Sequence, residues 1–275
     1  MNPSRTAAIA FAGVWALGTP VAVFAGASAR ARPGTVVRWP GSELESCELG
    51  ERSWPPLGGA CFYPIDLLRH AGPLDLVRRR AGRGETARVE VGPYDYPVQR
   101  LQMPRGWVEL APKDLARVQR ENREIAPLWR RTGPRQFDLP LCPPLDPLPP
   151  GGRFGDRRII NGSPRSPHSG ADYTVSLGTP VLAAADGVVA MVADHFFGGR
   201  SVFVDHGDGL ITMYFHLSRV DVTEGQRLRR GEGVGRVGQT GRATGPHLHF
   251  GVRWHGARVD PSVLLAVPEA IPAIE

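Results

Sequence analysis

The chain has 275 residues, which is enough for one large domain or two smaller ones, and 41% of its residues are apolar, which is enough for a hydrophobic core. Its net charge is +6, and nearly all of its basic residues are arginines scattered along the chain, with Lys113 as the only lysine. This scatter predicts no nucleic-acid site. The excess charge favours an anionic partner such as a cell-wall polymer or a membrane surface. The 34 glycines and 27 prolines favour short strands and turns over long helices.

The N-terminus predicts an export signal. Arg5 precedes an apolar run from Ala7 to Ala25, and the small residues of an A-x-A site follow it. We predict a signal peptide over residues 1–29, cleaved after Ala29. An uncleaved membrane anchor is the alternative, because the apolar run is long for a signal peptide. Export implies a periplasmic or secreted protein with no transmembrane segment after cleavage.

The three cysteines predict one disulfide, because export places the chain in an oxidising compartment. Cys47 and Cys61 lie close in sequence and form the preferred pair. Cys142 is then left unpaired.

Residues 30–138 predict a small β-rich domain that ends in one helix. Short apolar runs alternate with turns, as in Thr86–Val91. Apolar residues recur at helical spacing over 113–131. Asp114 is a candidate cap near the start of this helix, and Pro127 is expected to end or kink it.

The stretch 139–152, LPLCPPLDPLPPGG, is the clearest boundary in the chain and predicts a stiff, extended linker. Residues 153–265 then predict an antiparallel β domain, and residues 266–275 a C-terminal tail. The whole chain is therefore predicted to be mainly β. The strands expected after the boundary share apolar alternation and glycine-rich turns: Thr179–Ala183, Gly187–Ala193, Ser201–Asp205, Leu210–His216, Gly233–Val237 and His247–Arg253.

Two of the eight histidines stand one residue apart in GPHLHFGV, residues 245–252. Alternation predicts a half-buried strand, with His247 and His249 on one face and Leu248 and Phe250 in the core. One histidine could hold a metal while the other addresses a ligand beside it. Taken alone, however, the pair is more typical of a solvated strand face.

Two other stretches carry metal-binding residue types. His168 and Asp172 lie in HSGAD, where a loop leads into a strand, and His216 follows Tyr214 at the end of another strand. Histidine and carboxylate are suitable zinc ligands, and a catalytic zinc needs about three of them. Each stretch alone is more typical of a turn or a strand end.

Together and in this order, H-x-x-x-D, Y-x-H-L-S and G-P-H-L-H-F resemble the lysostaphin/LytM-type zinc metallopeptidases, which cleave peptide bonds in bacterial peptidoglycan. The resemblance covers about residues 139–265 and includes the framework stretches 154–158, 178–189, 204–210 and 238–250. It implies a metallopeptidase domain with one Zn²⁺ per chain and a peptidoglycan peptide as substrate. It further implies that the zinc ligands are His168, Asp172 and His249 and that the catalytic histidines are His216 and His247.

The chain has no H-E-x-x-H sequence to supply a glutamate base. We therefore expect His216 to act as the general base and His247 to stabilise developing negative charge. Tyr214 and the loop 239–245 are expected to shape the substrate groove. One alternative is a non-catalytic LytM-type module that activates another cell-wall hydrolase, although such degenerate relatives lack ligands that this chain retains. Another is the same chemistry on a glycine-rich protein.

The segments 94–104 and 114–125 resemble an accessory domain that precedes the catalytic domain in some exported members of this family. The resemblance implies an accessory or regulatory role for residues 30–138. We hypothesise that residues 30–138 block the groove and that a regulatory protein partner exists. The other four histidines are expected to be structural: His70, His195, His206 and His255.

Overall fold

The computed structural model describes residues 22–274, with side chains from Ala29 onward. Most of the predicted signal peptide, residues 1–21, lies outside the described residues. Ala22–Ala31 form a strand, so the cleavage predicted after Ala29 falls within that strand. No helix in the described range is both long and apolar enough to cross a membrane.

β-strands dominate the fold, as the sequence predicts. The N-terminal half contains β1 (Ala22–Ala31), β2 (Val36–Pro40), β3 (Leu44–Leu49), β4 (Arg52–Trp54), β5 (Ala60–Pro64), β6 (Gly72–Arg80), β7 (Arg83–Val91), β8 (Val98–Leu101) and helix α1 (Pro112–Ile125). The C-terminal half contains β9 (Arg157–Ile160), β10 (Ser163–Pro164), β11 (Gly170–Tyr173), β12 (Pro180–Leu182), β13 (Gly187–His195), β14 (Gly199–Asp205), β15 (Leu210–Val220), β16 (Arg227–Leu228), β17 (Gly233–Val237), β18 (Leu248–Trp254), β19 (Ala257–Val259) and helix α2 (Pro261–Leu265). Short 3₁₀ turns cover Arg105–Trp107, Ala126–Arg130 and Pro268–Ala270.

A nine-stranded sheet forms the centre of the C-terminal half. Its main path runs β11-β18-β15-β14-β13-β16, while β12 and β17 pair beside β15 and β19 pairs with β18. Every pairing in it is antiparallel, as predicted. Alternation in β18 buries Leu248 and Phe250 completely, and this fixes the opposite face for the histidines between them.

The N-terminal half has a five-stranded sheet, β1-β7-β6-β3-β4, and a two-stranded ribbon, β2-β5. They enclose a second core around Tyr63, whose hydroxyl donates a 2.7 Å hydrogen bond to the Val77 carbonyl. The predicted disulfide is present, and Cys47–Cys61 joins β3 to β5 while Cys142 stays unpaired.

The two halves share a core. Trp254 of β18 packs against Phe62 of β5 at a ring-centroid distance of 5.9 Å and against Phe137 at 5.7 Å. In addition, β8 pairs in parallel with β9, so the N-terminal half extends a sheet of the C-terminal half. The division into an accessory and a catalytic domain stays a prediction, but the two halves are packed together extensively.

The stretch 139–152 is packed against the sheet rather than extended as a free linker. Leu141 and Leu145 are each 1% exposed in the central core. The backbone amide of Leu141 donates to the Leu264 carbonyl, and that of Cys142 donates to the Ala184 carbonyl. Proline favours an extended backbone here, but the leucines between the prolines supply apolar area that is more stable when buried.

The predicted C-terminal tail, residues 266–275, is also packed over its described part. Ile271 and Ile274 are each 2% exposed. The Ile274 amide donates to the Arg38 carbonyl on β2. The tail therefore closes back onto the N-terminal core.

Helix α1 differs from the prediction at its start and ends just before Pro127, as expected. It begins at Pro112, after Ala111, which offers no side-chain cap, so Asp114 lies in the first turn and does not cap the helix. It ends at Ile125, and Pro127 lies in a 3₁₀ turn that continues it. The helix supports the central sheet through the Glu121 carboxylate, which accepts hydrogen bonds of 3.0 and 3.1 Å from the Phe196 amide.

Candidate metal centre and catalytic cleft

Three strands place a row of side chains on one face of the central sheet. Asp172 of β11 pairs with His249 of β18, and His249 pairs with Phe215 of β15. The Phe215 ring stacks on the His249 ring with 5.3 Å between centroids and 10° between planes. Directly paired residues in adjacent strands have neighbouring side chains, so this register alone brings Asp172 against His249.

The loop before β11 delivers His168 to the same point. Its Nε2 lies 3.0 Å from His249 Nδ1 and 3.0 Å from Asp172 Oδ1. The third side of the triangle, between His249 Nδ1 and Asp172 Oδ1, measures 2.8 Å. The structure therefore brings together the three residues predicted as metal ligands.

This triangle fits a bound metal. A tetrahedral zinc with bonds of about 2.0–2.2 Å to nitrogen and oxygen separates its donors by about 3.3 Å, a small expansion of the observed triangle. The ring of His168 is held in a suitable tautomer, because its Nδ1 donates a 2.8 Å hydrogen bond to the Arg153 carbonyl and leaves the Nε2 lone pair facing the site. A set of two imidazoles and one carboxylate suits zinc, and it leaves a fourth position for water or substrate.

A glycine gives His249 room to reach this position. A Cβ atom at Gly170 would stand 2.6 Å from His249 Nε2 and 2.7 Å from the Phe250 carbonyl oxygen. Ordinary van der Waals contacts of a Cβ begin near 3.4 Å. Glycine is therefore required at position 170, because the His249 ring packs over it.

Charge at the triangle matches its role as a ligand set. Burial alone would raise the pKa of Asp172, but hydrogen bonds with His168 and His249 outweigh burial and hold that pKa far below its ordinary value. Burial lowers the pKa of His249, against the effect of Asp172. A carboxylate and a neutral imidazole are the protonation states that bind a metal.

His216 lies at the edge of the same site. Its φ of 64° is in the left-handed region, and its amide donates a 2.7 Å hydrogen bond to the Gly198 carbonyl. This conformation interrupts strand alternation, so Phe215 and His216 both line the cleft. Tyr214, predicted to shape the groove, is instead fully buried, and its hydroxyl accepts a hydrogen bond from the Ala184 amide.

The imidazole of His216 is held neutral with one nitrogen available. Its Nδ1 donates a 2.9 Å hydrogen bond to the Thr240 carbonyl, so the neutral ring carries its lone pair on Nε2. The pKa of His216 is lowered to about 3, first by burial and then by the neighbouring His249 and His247, against smaller raising effects of the Thr240 carbonyl and Asp172. A neutral, oriented imidazole is the form that can accept a proton near pH 7.

His247 lies beside His216 in the cleft. The two ring centroids are 4.5 Å apart. The Nδ1 of His247 donates a 2.9 Å hydrogen bond to the Gly245 carbonyl, and its Nε2 lies 3.9 Å from Asp172 Oδ1. The two residues predicted as catalytic therefore stand beside the three predicted ligands, although their roles stay predictions.

The cleft around these residues has a volume of about 460 Å³. Its walls include part of the loop predicted for this purpose, from Arg242 to Gly245. Another wall was not predicted: Gln99, Leu101 and Met103, on and just after β8 in the N-terminal half, line the same cleft. No local sequence signal could have placed β8 there, because its partner β9 lies more than fifty residues further along the chain.

Arginines are a second feature that sequence reasoning missed. Arg153, Arg158 and Arg242 line the cleft, and among the described residues Asp172 is the only carboxylate that lines it. The Arg158 Nη2 lies 3.6 Å from Asp172 Oδ2. The Arg242 guanidinium lies 4.2 Å from the centre of the Phe197 ring, and its Nη1 donates a 3.1 Å hydrogen bond to the Trp107 carbonyl.

The other four histidines take no part in this cluster. His206 is fully buried, and its ring bonds to the Asp186 carbonyl at 2.7 Å and to Thr212 Oγ1 at 2.8 Å. His195 is also buried. His255 is half-buried and stacks on Trp54 with 4.1 Å between ring centroids. His70 is exposed in the N-terminal half.

Comparison with known proteins assigns the chain to a family. The sequence profile of Peptidase family M23 matches residues 166–261, which contain all five candidate site residues. A Pseudomonas aeruginosa crystal structure described as a peptidase M23 is 35% identical, with a TM-score of 0.65, and the match covers 85% of this chain and 94% of that one. The chain belongs to Peptidase family M23.

Curated relatives of this M23 chain carry specific names. The peptidoglycan DD-endopeptidase ShyA of Vibrio cholerae is 44% identical over 98 residues, which is 35% of this chain and 23% of ShyA. The DD-carboxypeptidase/endopeptidase Mpg of Neisseria meningitidis is 46% identical over 107 residues, which is 38% of this chain and 25% of Mpg. The M23 chain thus spans about a quarter of the length of these relatives.

Proposed function

We propose that this chain is an exported zinc metalloendopeptidase that hydrolyses peptide cross-links or stem peptides of bacterial peptidoglycan. The proposal rests on one observation. Three side chains of metal-binding type lie together with the imidazoles of His216 and His247 in one open cleft. Named peptidoglycan endopeptidases among its relatives support the substrate class. A periplasmic or secreted location follows from that substrate.

We assign the metal to His168, Asp172 and His249, one Zn²⁺ per chain. Zinc bound there would supply Lewis acidity to polarise the scissile carbonyl and to acidify a water molecule. Two neutral imidazoles and one carboxylate leave the site with a net charge near +1, which preserves that acidity. The short contacts among the three donors define where the ion would sit.

His216 and His247 supply the proton transfers. The Nε2 of His216 carries the free lone pair and accepts a proton from the attacking water. The backbone carbonyl of Gly245 orients His247, whose Nε2 lies 3.9 Å from Asp172 Oδ1. With both ring nitrogens protonated, Nε2 donates a hydrogen bond to the developing oxyanion or its proton to the leaving amine. Both rings are fixed by backbone carbonyls, so little reorganisation precedes the reaction.

Substitutions separate the two groups of residues. His168→Ala, Asp172→Ala and His249→Ala should lose both bound zinc and activity. His216→Ala and His247→Ala should keep one zinc per chain, while kcat falls about 10²–10⁴-fold, the usual contribution of a general acid or base. Metal analysis and digestion of isolated sacculi measure the two properties. Full activity in His216→Ala would refute the assignment of the base.

The digestion also tests the competing function, a non-catalytic module that activates another wall hydrolase. Purified wild-type chain with zinc should release muropeptides from isolated sacculi, and mass spectrometry of these products identifies the bond cleaved. The His216→Ala protein is the matched control. Bound zinc with no release of muropeptides, together with stimulation of a second hydrolase, would favour the activator.

We further propose that residues 153–265 form the peptidase proper and that residues 30–138 act as an accessory unit. The contact of β8 with the cleft supports an influence of the accessory unit on substrate access. A regulatory protein partner would act on this unit. Comparing cleavage rates with and without a candidate partner tests that regulation.

A further inference from the structure

The lining of the cleft carries positive charge that the proposed reaction does not use. Arg153, Arg158 and Arg242 line it, and Asp172 is the only carboxylate among the lining residues. Asp172 is already engaged with His168 and His249. A bound metal would make this excess of positive charge larger, so the cleft is electrostatically suited to an anionic part of a substrate.

Arg242 is built to present its charge. Its backbone amide donates to the Phe197 carbonyl, and its guanidinium is held over the Phe197 ring. One nitrogen, Nη1, is used by the Trp107 carbonyl. In the described part of the chain no carboxylate forms an ion pair with Arg242, which lines the cleft. Burial, with the nearby Arg158 and Arg165, lowers the pKa of Arg242 to about 10, and the group stays charged at neutral pH.

Two buried polar atoms next to this charge also lack partners. Gln99 and Arg158 pair in register across β8 and β9, and both line the cleft. Within residues 22–274, Gln99 Oε1 and Arg158 Nε are buried with no hydrogen-bond partner. An unmatched buried donor or acceptor destabilises a protein, so a ligand that satisfies both atoms would bind favourably here. Arg158 Nε needs a hydrogen-bond acceptor, and Gln99 Oε1 needs a donor such as an N–H group.

We propose that Arg242, Arg158 and Gln99 form a subsite for a free α-carboxylate on the residue that supplies the leaving amine of the scissile bond. The carboxylate accepts hydrogen bonds from the guanidinium groups, and an amide N–H of the same residue donates to Gln99 Oε1. Planar guanidinium groups bind carboxylates with directional, charge-assisted hydrogen bonds. The subsite rests on the proposed peptidase function and specifies its substrate.

A free α-carboxylate at that place arises in two ways. The leaving residue is the C-terminal residue of a peptide, which makes the reaction a carboxypeptidase cleavage. Alternatively, the leaving residue is joined to the neighbouring strand through a side-chain amine, which makes the reaction an endopeptidase cleavage of a cross-link. The two leaving groups place the carboxylate at the same distance from the scissile nitrogen where the side-chain amine and a free carboxylate share one carbon atom, and for cross-links of that kind one subsite serves both substrates.

The test compares matched peptides on the zinc-loaded full chain. One pair consists of linear peptides, and the other consists of branched peptides joined through a side-chain amine. Within each pair, the leaving residue carries a free α-carboxylate in one peptide and a carboxamide in the other. We expect kcat/KM to favour the free acid by about tenfold to a hundredfold, as expected for one charge-assisted hydrogen-bond site. A preference for the free acid within the linear pair identifies the C-terminal residue of a peptide as the source of the carboxylate. A preference within the branched pair identifies the cross-link as the source.

Arg242→Gln should remove most of this preference by slowing cleavage of the free acids, with little change for the carboxamides. Arg242→Lys keeps the charge but not the planar fork, and it should give an intermediate preference. Arg227→Gln is the matched control, because Arg227 is exposed on β16 outside the cleft and the substitution removes the same charge. An unchanged preference in Arg242→Gln, or none in the wild type, overturns the subsite.

Binding keeps the subsite separable from the proposed function. Isothermal titration of the four peptides into the His216→Ala protein, with zinc and after chelation, measures affinity without cleavage. Tighter binding of the free acid that depends on Arg242 and survives chelation supports the subsite, even if the wild type cleaves none of the peptides and the proposed function fails. Equal affinities for acid and carboxamide overturn the subsite while leaving peptidase activity intact.

Discussion

Substituting Gly170 with alanine should disable metal binding without any change to a ligand. The new Cβ would stand 2.6 Å from His249 Nε2 and 2.8 Å from its Cε1, whereas ordinary contacts begin near 3.4 Å. The ring must therefore retreat by about 0.8 Å, four times the tolerance of about 0.2 Å for a metal-ligand distance. The Phe250 carbonyl, 2.7 Å from the same Cβ, blocks an alternative shift along β11, because β11 and β18 are paired there.

We expect Gly170→Ala to bind zinc at least 10–100-fold more weakly, the loss typical of disturbing the support of a metal ligand. Titration against a chromogenic chelator measures this affinity, and thermal unfolding in chelator checks that the metal-free fold survives. Gly233→Ala is the matched control, because a Cβ at that position in β17 meets no atom within 4 Å. Zinc affinity within twofold of the wild type in Gly170→Ala would refute the reasoning.

Further predictions concern stability. Burial lowers the pKa of His206 from 6.5 to about 4, so the unfolded chain takes up the proton first and stability falls as pH drops from about 6.5 to 4. This group accounts for a loss of about 3 kcal/mol in the free energy of unfolding. In chelator, His206→Gln should therefore show a smaller acid-induced loss of stability in denaturant titrations. An equal loss would contradict this assignment. Replacing Cys47 and Cys61 together by alanine should cost about 3 kcal/mol, the value for a loop of about 15 residues, and a cost below about 1 kcal/mol would contradict the loop argument. Residues 139–275 alone should be degraded much faster by protease than residues 22–275, because they lack Phe62 and the other N-terminal side chains of the shared core, and equal resistance would show that the shared core is dispensable.

Much of the central sheet could be predicted from sequence because its signals are local. Apolar alternation is a period-two pattern, and it correctly placed Leu248 and Phe250 in the core and His249 on the opposite face. The predicted ligands meet because strand register brings Asp172 against His249. Alternation fixes the face on which a residue lies but not its partner in another strand, so the grouping of these residues before the structure depended on the family resemblance.

The features that were not predicted depend on exceptions to local rules or on contacts across the chain. The positive φ of His216 breaks alternation, so Phe215 faces the cleft and Tyr214 faces the core, the reverse of the expectation for Tyr214. The packing of residues 139–152 depends on which surface is available to bury Leu141 and Leu145. Proline content alone carries no information about that surface.

Because β8 pairs with β9, residues from both halves of the chain line the cleft. Exchange of either half alone would therefore change the lining of the cleft. A chimera that replaced residues before 139 would keep all five candidate site residues yet would replace Gln99, Leu101 and Met103 in the wall. Such a hybrid would retain its chemistry but would present a different groove to each substrate. Under the proposed function, exchange of the N-terminal half would therefore change selectivity, while the C-terminal half would keep the candidate site residues.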